Sequence, residues 1–382
     1  MIRDAGRYDA VVIGAGVAGL TAAAHLAQRG ASVCVLARGV GCTHLAPATI
    51  DVLADGDLAT FVNAHPEHPY AGVGVDGVAA ALDWLRNCFD DGYRYVGELG
   101  TNHVLPGPLG AVRHSALVPV TMAAGALGDA APICVVGLPA LRDFPAGLCA
   151  ANLAARGHEA RAVSVDLDDR GRAETNAVTL ARRFDEPAFR ADFAVRLRPL
   201  LRDDERVGMP AVLGLRDPHS AWTDLQERLE HPVFEVPTLP PSAPGVRLFN
   251  ALRDALRAAR GTLTMGAHVI PTTRAGAVRA RVSGHDRDYE SRAIVLATGG
   301  LASGGIELTA AGDLRETALG LDVAGEVRVE PDAFVARVGV TTGRDDVYVA
   351  GAALPGADAR RDGCGEGVAL STGHRVAGLI AA

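Results

Sequence analysis

Three glycines, Gly14-x-Gly16-x-x-Gly19, follow the apolar run Val11–Ile13 and open an alanine-rich stretch of helical pattern. Glycines at this spacing permit a tight strand-to-helix turn, a close approach of backbone to a phosphate, and close packing of the helix on its strand. The free N–H groups and the positive dipole end of that helix then face an anion, with Ala15 inside the loop. A dinucleotide site of this kind places an Asp or Glu about 20 residues later to bind the ribose hydroxyls. Here that position is Ala37, followed by Arg38 and Gly39, so the glycines are kept and the acid is missing.

Two further stretches share the same chemistry. "IVLATGG" is an apolar strand that ends in Thr298, Gly299 and Gly300, small residues that let a ligand approach the backbone. "VYVAGAALPG" ends a second strand at Gly351, and "GCGEGVALSTGHRVAG" sets Gly363, Cys364, Gly365 and Gly367 at the start of an apolar helix. One glycine fingerprint is weak evidence. Three Gly-rich strand ends that bracket the chain point to one nucleotide site, and an enzyme using only a nicotinamide would not need the second and third.

Composition narrows the options. The 382 residues suffice for two domains or for one domain with a large insertion. A net charge of -8 argues against nucleic acid as a partner. All 37 basic residues are Arg, so Arg, His or backbone N–H must hold any anionic substrate. The six cysteines form no C-x-x-C pair, and His65 and His68 have no third ligand at metal spacing. No iron–sulfur cluster or metal site is therefore expected, and both histidines read as loop residues. Cysteine usage fits reducing cytoplasm, and a first strand at about Tyr8 leaves no room for a signal peptide. The apolar stretch 121–141 is broken by Gly and Pro and is not read as a transmembrane segment.

Residues 8–39 form a βαβ unit. A helix is expected over 76–91, with Val78, Leu82, Leu85 and Phe89 on one face. Residues 133–166 form a second βαβ unit, whose turn "GLPALRDF" lacks the glycine fingerprint and is read as structural. A strand over 207–215 and a helix over 218–230 follow. "VPTLPPSAPG" (236–245) carries four prolines, which exclude helix or central strand, and marks the return from an insertion. A helix over 246–260 comes next.

The three-piece pattern resembles the FAD-dependent oxidoreductases of the fumarate reductase and glutathione reductase type. Its implied fold is α/β: a Rossmann-like flavin-binding domain, a parallel sheet drawn from three chain segments, with an inserted α/β middle domain. The expected division is 1–60 plus 245–382 for the flavin-binding domain and 61–244 for the insertion. "RGVGCTHLAPATIDVL", "HPEHPY", "ICVVGLPALRDF", "VPTLPPSAPGVRL" and "GCGEGVALS" carry the resemblance further. From about Tyr8 to Gly378 the chain resembles the B-subunit family of anaerobic glycerol-3-phosphate dehydrogenase.

That resemblance implies a flavoprotein working with a catalytic A subunit and an iron–sulfur C subunit. The complex would oxidise glycerol 3-phosphate to dihydroxyacetone phosphate and pass electrons to a membrane quinone. The chain would be cytoplasmic, peripheral on the inner face of the membrane through its partners. The resemblance also implies FMN, which has no adenosine ribose and needs no acid at residue 37; Arg38 would meet its terminal phosphate. FAD stays open as the alternative, because main-chain groups can hold a ribose. His44 and Thr49, in "CTHLAPATID", match a segment that runs beneath the flavin ring in related proteins, with His44 a proton acceptor or a structural histidine. Arg247 is a candidate for the substrate phosphate or the flavin, or else a helix-start arginine bonded to loop carbonyls. Two functional readings remain: this chain carries the substrate-oxidising flavin, or it is an electron-relay or scaffold subunit and its partner does the chemistry. The lack of an evident Arg–His cluster for a phosphorylated substrate points to the second. A stand-alone reductase of the fumarate reductase type would need an Arg-rich dicarboxylate site, which the sequence does not show.

Overall fold

Why the central strands are almost wholly apolar is clear from their neighbours. In the computed structural model, which describes residues 3–89, 93–128, 131–167, 174–272, 274–325, 327–330 and 333–381, strand β1 (Arg3–Ile13) is followed by helix α1 (Val17–Gln28) and strand β2 (Val33–Ala37). β1 lies between β2 and the long strand His285–Leu296, parallel to both. Strands flanked on both sides and covered on both faces read as continuous Val/Ile/Leu runs. Thr262–Met265 extends the sheet beyond β2, and Val347–Val349 joins the end of His285–Leu296, again in parallel. The start of His285–Leu296 instead forms an antiparallel hairpin with Ala277–Val282, which pairs with His268–Ile270. The C-terminal helix, Gly365–Ala381, packs closely on α1: a side chain at Gly373 would collide with the carbonyl of Ala18.

These elements form one compact unit drawn from three chain segments, Met1–Thr43, Asp51–Cys88 and Phe249–Ala382. His44–Ile50 and Phe89–Leu248 form the other. The second unit has its own four-stranded parallel sheet, in the order Val233–Val236, Arg206–Pro210, Ile133–Gly137, Ala160–Ser164. Its core is built on Val135, Val136, Phe184, Phe193, Val207 and Phe234. The protein is thus α/β, with a Rossmann-like parallel sheet in three segments and an inserted α/β part.

Some boundaries differ from expectation. Residues 61–88 fold with the first unit, because the helix Val75–Arg86 packs against the C-terminal helix. That helix ends at Arg86, short of the expected 91; residues 90 and 91 lie outside the described ones. The helix after the proline stretch starts early, at Ala243, with Pro244 in its first turn, where no N–H donor is needed. The strand expected over 207–215 ends at Pro210. Two helices, Ala177–Phe184 and Pro187–Leu197, were not expected; they bring Leu180, Phe184, Phe193 and Leu197 to the second core. Among the described residues no helix is long and apolar enough to cross a membrane.

Candidate functional site

The ends of four parallel strands lie level with one another. The N–H of Gly14 bonds to Leu36 O, that of Ala297 to Ile13 O and that of Ala350 to Leu296 O, each at 2.9 Å. The three Gly-rich loops therefore leave the sheet side by side, at its carboxyl edge, where open parallel sheets bind ligands.

Within the first loop the glycines divide by what surrounds them. Gly14 sits at φ +113°, and a side chain there would collide with the carbonyl of Ala297. One at Gly19 would collide with the carbonyl of Gly14. Gly16 is different: a Cβ there meets nothing within 4 Å. It is also the N-cap of α1, with no side-chain cap and no acid in the first turn. The orphan N–H groups of a twelve-residue helix are thus offered to open space, the arrangement that takes a phosphate. Ala15 beside it is buried.

The chain leaving β2 passes over this loop, with Gly41, at φ +65°, placed so that its Cβ would lie 3.4 Å from Gly16 Cα. Arg38 and Gly39 are exposed there, and Arg38 makes no ion pair among the described residues. Cys42, to which the sequence suggested no role, has its Sγ 3.9 Å from Ala302 O and ties this segment to the loop after Thr298. Burial, and then the charge of Glu366, raise the pKa of the Cys42 thiol. In the second loop, Gly299 takes φ +78°, and a Cβ on Gly300 would lie 2.9 Å from Ala352 O. Gly351 donates its N–H to Thr372 Oγ1 at 2.8 Å. Thr298 Oγ1 is buried with no hydrogen-bond partner among the described residues. An uncapped helix N-terminus, small-residue strand ends and an orphaned hydroxyl together fit a flavin nucleotide.

The C-terminal glycines serve the fold. Gly363 is left-handed, at φ +61°, and a Cβ there would lie 2.7 Å from Ala54 Cβ. A Cβ on Gly365 would sit 3.3 Å from Ala359 Cβ, and one on Gly367 would collide with the Tyr70 hydroxyl. Cys364 is wholly buried, and its thiol is pushed up by burial and then by Asp362 and other nearby carboxylates, so it stays protonated. His68 lies in the loop before the helix Pro69–Val73, as expected, but it is 2% exposed and not without neighbours of ligand type: its Nε2 lies 3.7 Å from Cys364 Sγ and 4.0 Å from Asp362 Oδ2. Sequence spacing had offered no third potential ligand, and the fold supplies two from nearly 300 residues away.

His44, Thr49 and Arg247 belong to the second unit. Arg247 is buried against Glu235, with Nη1 and Nη2 donating to its two oxygens at 2.7 and 2.9 Å. Nε donates to Gly214 O, Nη2 to Leu213 O and Nη1 to the Tyr93 hydroxyl, and the guanidinium lies 5.3 Å over the Tyr93 ring. Burial would lower its pKa, but Glu235 holds the charge and leaves it raised. All donors of the guanidinium fork are engaged. The expectation that Arg247 meets a substrate phosphate is therefore corrected, and the reading as an arginine bonded to loop carbonyls describes it.

Segment 44–50 is clipped within the same unit. His44 O accepts the Ser242 N–H, Ala48 O accepts the Tyr95 hydroxyl, and Ile50 bridges to Leu117. Thr49 is buried, and its hydroxyl accepts Arg113 Nε at 2.9 Å. Burial lowers the pKa of His44, so its imidazole is neutral near pH 7 and able to take a proton.

Residues 9–348 match the family described as "FAD binding domain". Over 417 aligned residues the chain is 32% identical to the B subunit of anaerobic glycerol-3-phosphate dehydrogenase from Pectobacterium carotovorum subsp. carotovorum (strain PC1), covering 98% of each. It is also 32% identical, over 428 residues, to the probable B subunit of the same enzyme from Halobacterium salinarum, covering 98% of this chain and 97% of that one. Among solved structures it is similar to OxyS anhydrotetracycline hydroxylase from Streptomyces rimosus, at 13% identity and a TM-score of 0.37, over 98% of this chain and 63% of that one.

Proposed function

The chain belongs to the family of anaerobic glycerol-3-phosphate dehydrogenase B subunits and carries that family's FAD-binding domain, and from this premise we propose that it is the flavoprotein subunit of a complex that oxidises sn-glycerol 3-phosphate to dihydroxyacetone phosphate. The observation that carries the reading is the open space at Gly16 beneath the uncapped N-terminus of α1. In this reading the electrons pass to a membrane quinone through an A subunit and an iron–sulfur C subunit. The chain then sits peripherally on the cytoplasmic face of the membrane, held there by its partners.

When bound, the flavin supplies a two-electron acceptor for the hydride that leaves C2 of the substrate. The chain's own residues do the rest. The first-turn N–H groups of α1 bind phosphate, Arg38 balances its charge, and Thr298 offers a hydroxyl.

The matched family favours FAD over the FMN expected from the missing acid, and a ribose held by main-chain groups needs no acid at Ala37. Acid extraction followed by chromatography is expected to release one FAD per chain. FMN in that extract would restore the first expectation, and a colourless chain that takes up neither flavin would end the flavin reading. Arg38→Ala is expected to weaken FMN more than FAD in titrations of the apoprotein. A phosphate dianion that ends beside Arg38 would lose a charge-assisted bond of about 1.5–3 kcal/mol, roughly tenfold or more in affinity.

A second reading is favoured by Arg247. Its donors are spent within the second unit, which removes the arginine that sequence suggested for the substrate phosphate. In this reading the chain relays electrons or supports assembly, and substrate is held by the A subunit. The purified chain should then hold flavin yet show little glycerol-3-phosphate:dye activity until the A subunit is added. Full activity of the chain alone would contradict the relay reading.

A further inference from the structure

Two motifs singled out in the sequence, "HPEHPY" and "GCGEG", have no part in the chemistry above, and they meet in the first unit. His68 caps the short helix Pro69–Val73, its Nδ1 accepting the Tyr70 N–H at 3.2 Å. That bond takes the Nδ1 lone pair, so the proton of the neutral ring stands on Nε2. Nε2 faces Cys364 Sγ at 3.7 Å. The next residues reinforce the link. The Tyr70 hydroxyl donates to Val52 O at 3.0 Å and lies 3.5 Å from Cys364 O. Ala54 N–H donates to Asp362 O and Gly367 N–H to Asp51 O. Cys364 O in turn accepts the Val368 N–H, the opening bond of the C-terminal helix. The first turn of that helix is therefore held by residues 51–54 and 68–70, while one turn further on the same helix meets the third strand-end loop, where Gly351 donates its N–H to Thr372 Oγ1 at 2.8 Å and a Cβ on Gly351 would lie 3.9 Å from Ala369 Cα.

We propose that His68 is a positioning residue for the flavin: through Cys364 it fixes the first turn of the C-terminal helix, whose next turn borders the nucleotide loops. The inference rests on the flavin reading. The residue type supports it. An Asn, Asp or Ser would cap so short a helix as well, without burying an imidazole. What histidine adds is reach: Nδ1 accepts the Tyr70 N–H while Nε2, across the ring, presents its donor to Cys364 at 3.7 Å, further out than an Asn amide extends. The same tautomer separates this role from a metal site. His68, Asp362 and Cys364 bring their ligand atoms within 4.8 Å of one another, but with Nδ1 accepting the Tyr70 N–H the ring proton stands on Nε2, where a metal would have to bind.

The test uses the full chain, stripped of flavin and titrated with FAD and FMN. His68→Asn keeps the cap and loses the reach; Cys364→Ala removes the other end. Each is expected to weaken binding of the native flavin about tenfold, and the double variant no more than either alone, the mark of residues that act as one unit. The apoprotein of His68→Asn should melt close to wild type, and amides 364–368 should exchange faster with solvent. Wild-type flavin affinity in His68→Asn would overturn the proposal, as would additive effects. Stoichiometric metal held by the wild type and lost in Cys364→Ala would replace it with a metal site. A wild-type chain that takes up no flavin would instead sink the functional reading on which it rests.

Discussion

Gly16→Val is expected to give a folded protein that no longer binds flavin, whereas Gly19→Val and Gly14→Val are expected to give little folded protein at all. The three residues look equivalent in the sequence, and their surroundings make them differ. A Cβ at Gly16 meets nothing within 4 Å, so the fold loses at most a preferred capping residue, on the order of 1 kcal/mol. The isopropyl group then stands in the space in front of the first-turn N–H groups of α1, where a phosphate must come within hydrogen-bond distance. At Gly19 the added carbon would enter the carbonyl of Gly14, and at Gly14 it would enter the carbonyl of Ala297 under a φ of +113° that side chains resist. Backbone cannot yield there without parting α1 from β1, or β1 from its neighbour. Flavin titration and circular dichroism melts of the three variants check this. Loss of at least about a hundredfold in affinity is expected for Gly16→Val, nearly 3 kcal/mol. If Gly16→Val takes up flavin as well as wild type, the open space is not the phosphate site. If Gly19→Val folds and merely loses flavin, the division of the three glycines is wrong.

What could be read in advance follows the range of the physical requirement. A strand end that must let a ligand touch backbone needs small residues locally, so Thr298, Gly299 and Gly351 stand out in the sequence, as do the three glycines of the first loop. Their convergence was legible too, since parallel strands with crossover helices leave their loops at one edge of the sheet. His68 and Cys364 were not, because 296 positions separate them and neither motif hints at the other. Arg247 failed for a related reason. Glu235 is only 12 positions away, but whether a carboxylate there turns inward depends on the loop carbonyls of Leu213 and Gly214 that fill the remaining donors. The helix Val75–Arg86 shows a third limit. Val78, Leu82 and Leu85 marked its apolar face, but periodicity does not say which core that face joins, and it joins the first. The helix Ala177–Phe184 was legible and missed: Asn176 caps it through the Thr179 N–H, and Ala177, Leu180, Ala181 and Phe184 are spaced for one buried face.

Glu235→Ala is expected to destabilise the second unit by about 3–5 kcal/mol, the cost of stranding a buried charge. Neither member of the pair reaches solvent: the side chains of Arg247 and Glu235 are 2% and 0% exposed. Removing the carboxylate leaves the guanidinium with two empty donors, and also strands the Leu213 N–H and the Thr121 hydroxyl, which bond to the same oxygens. Arg247→Ala should cost a similar amount by leaving Glu235 without its cation. The double variant Glu235→Leu/Arg247→Met removes both charges at once and should recover part of the loss, because a buried pair replaced by apolar groups of like volume is often tolerated. Recovery stays incomplete, since Leu213, Thr121 and Tyr93 still lack their partners. Urea unfolding followed through Trp222, whose indole bonds to Val233 O in this unit, reads the effect once Trp84, the other tryptophan, is replaced by Phe. The same double variant decides what Arg247 does. If the arginine holds Leu213 and Gly214 to the strand Val233–Val236 and nothing more, the assembled complex containing it should keep its KM for glycerol 3-phosphate. A folded double variant whose complex binds substrate a hundredfold more weakly would return Arg247 to the substrate and remove the ground for the relay reading.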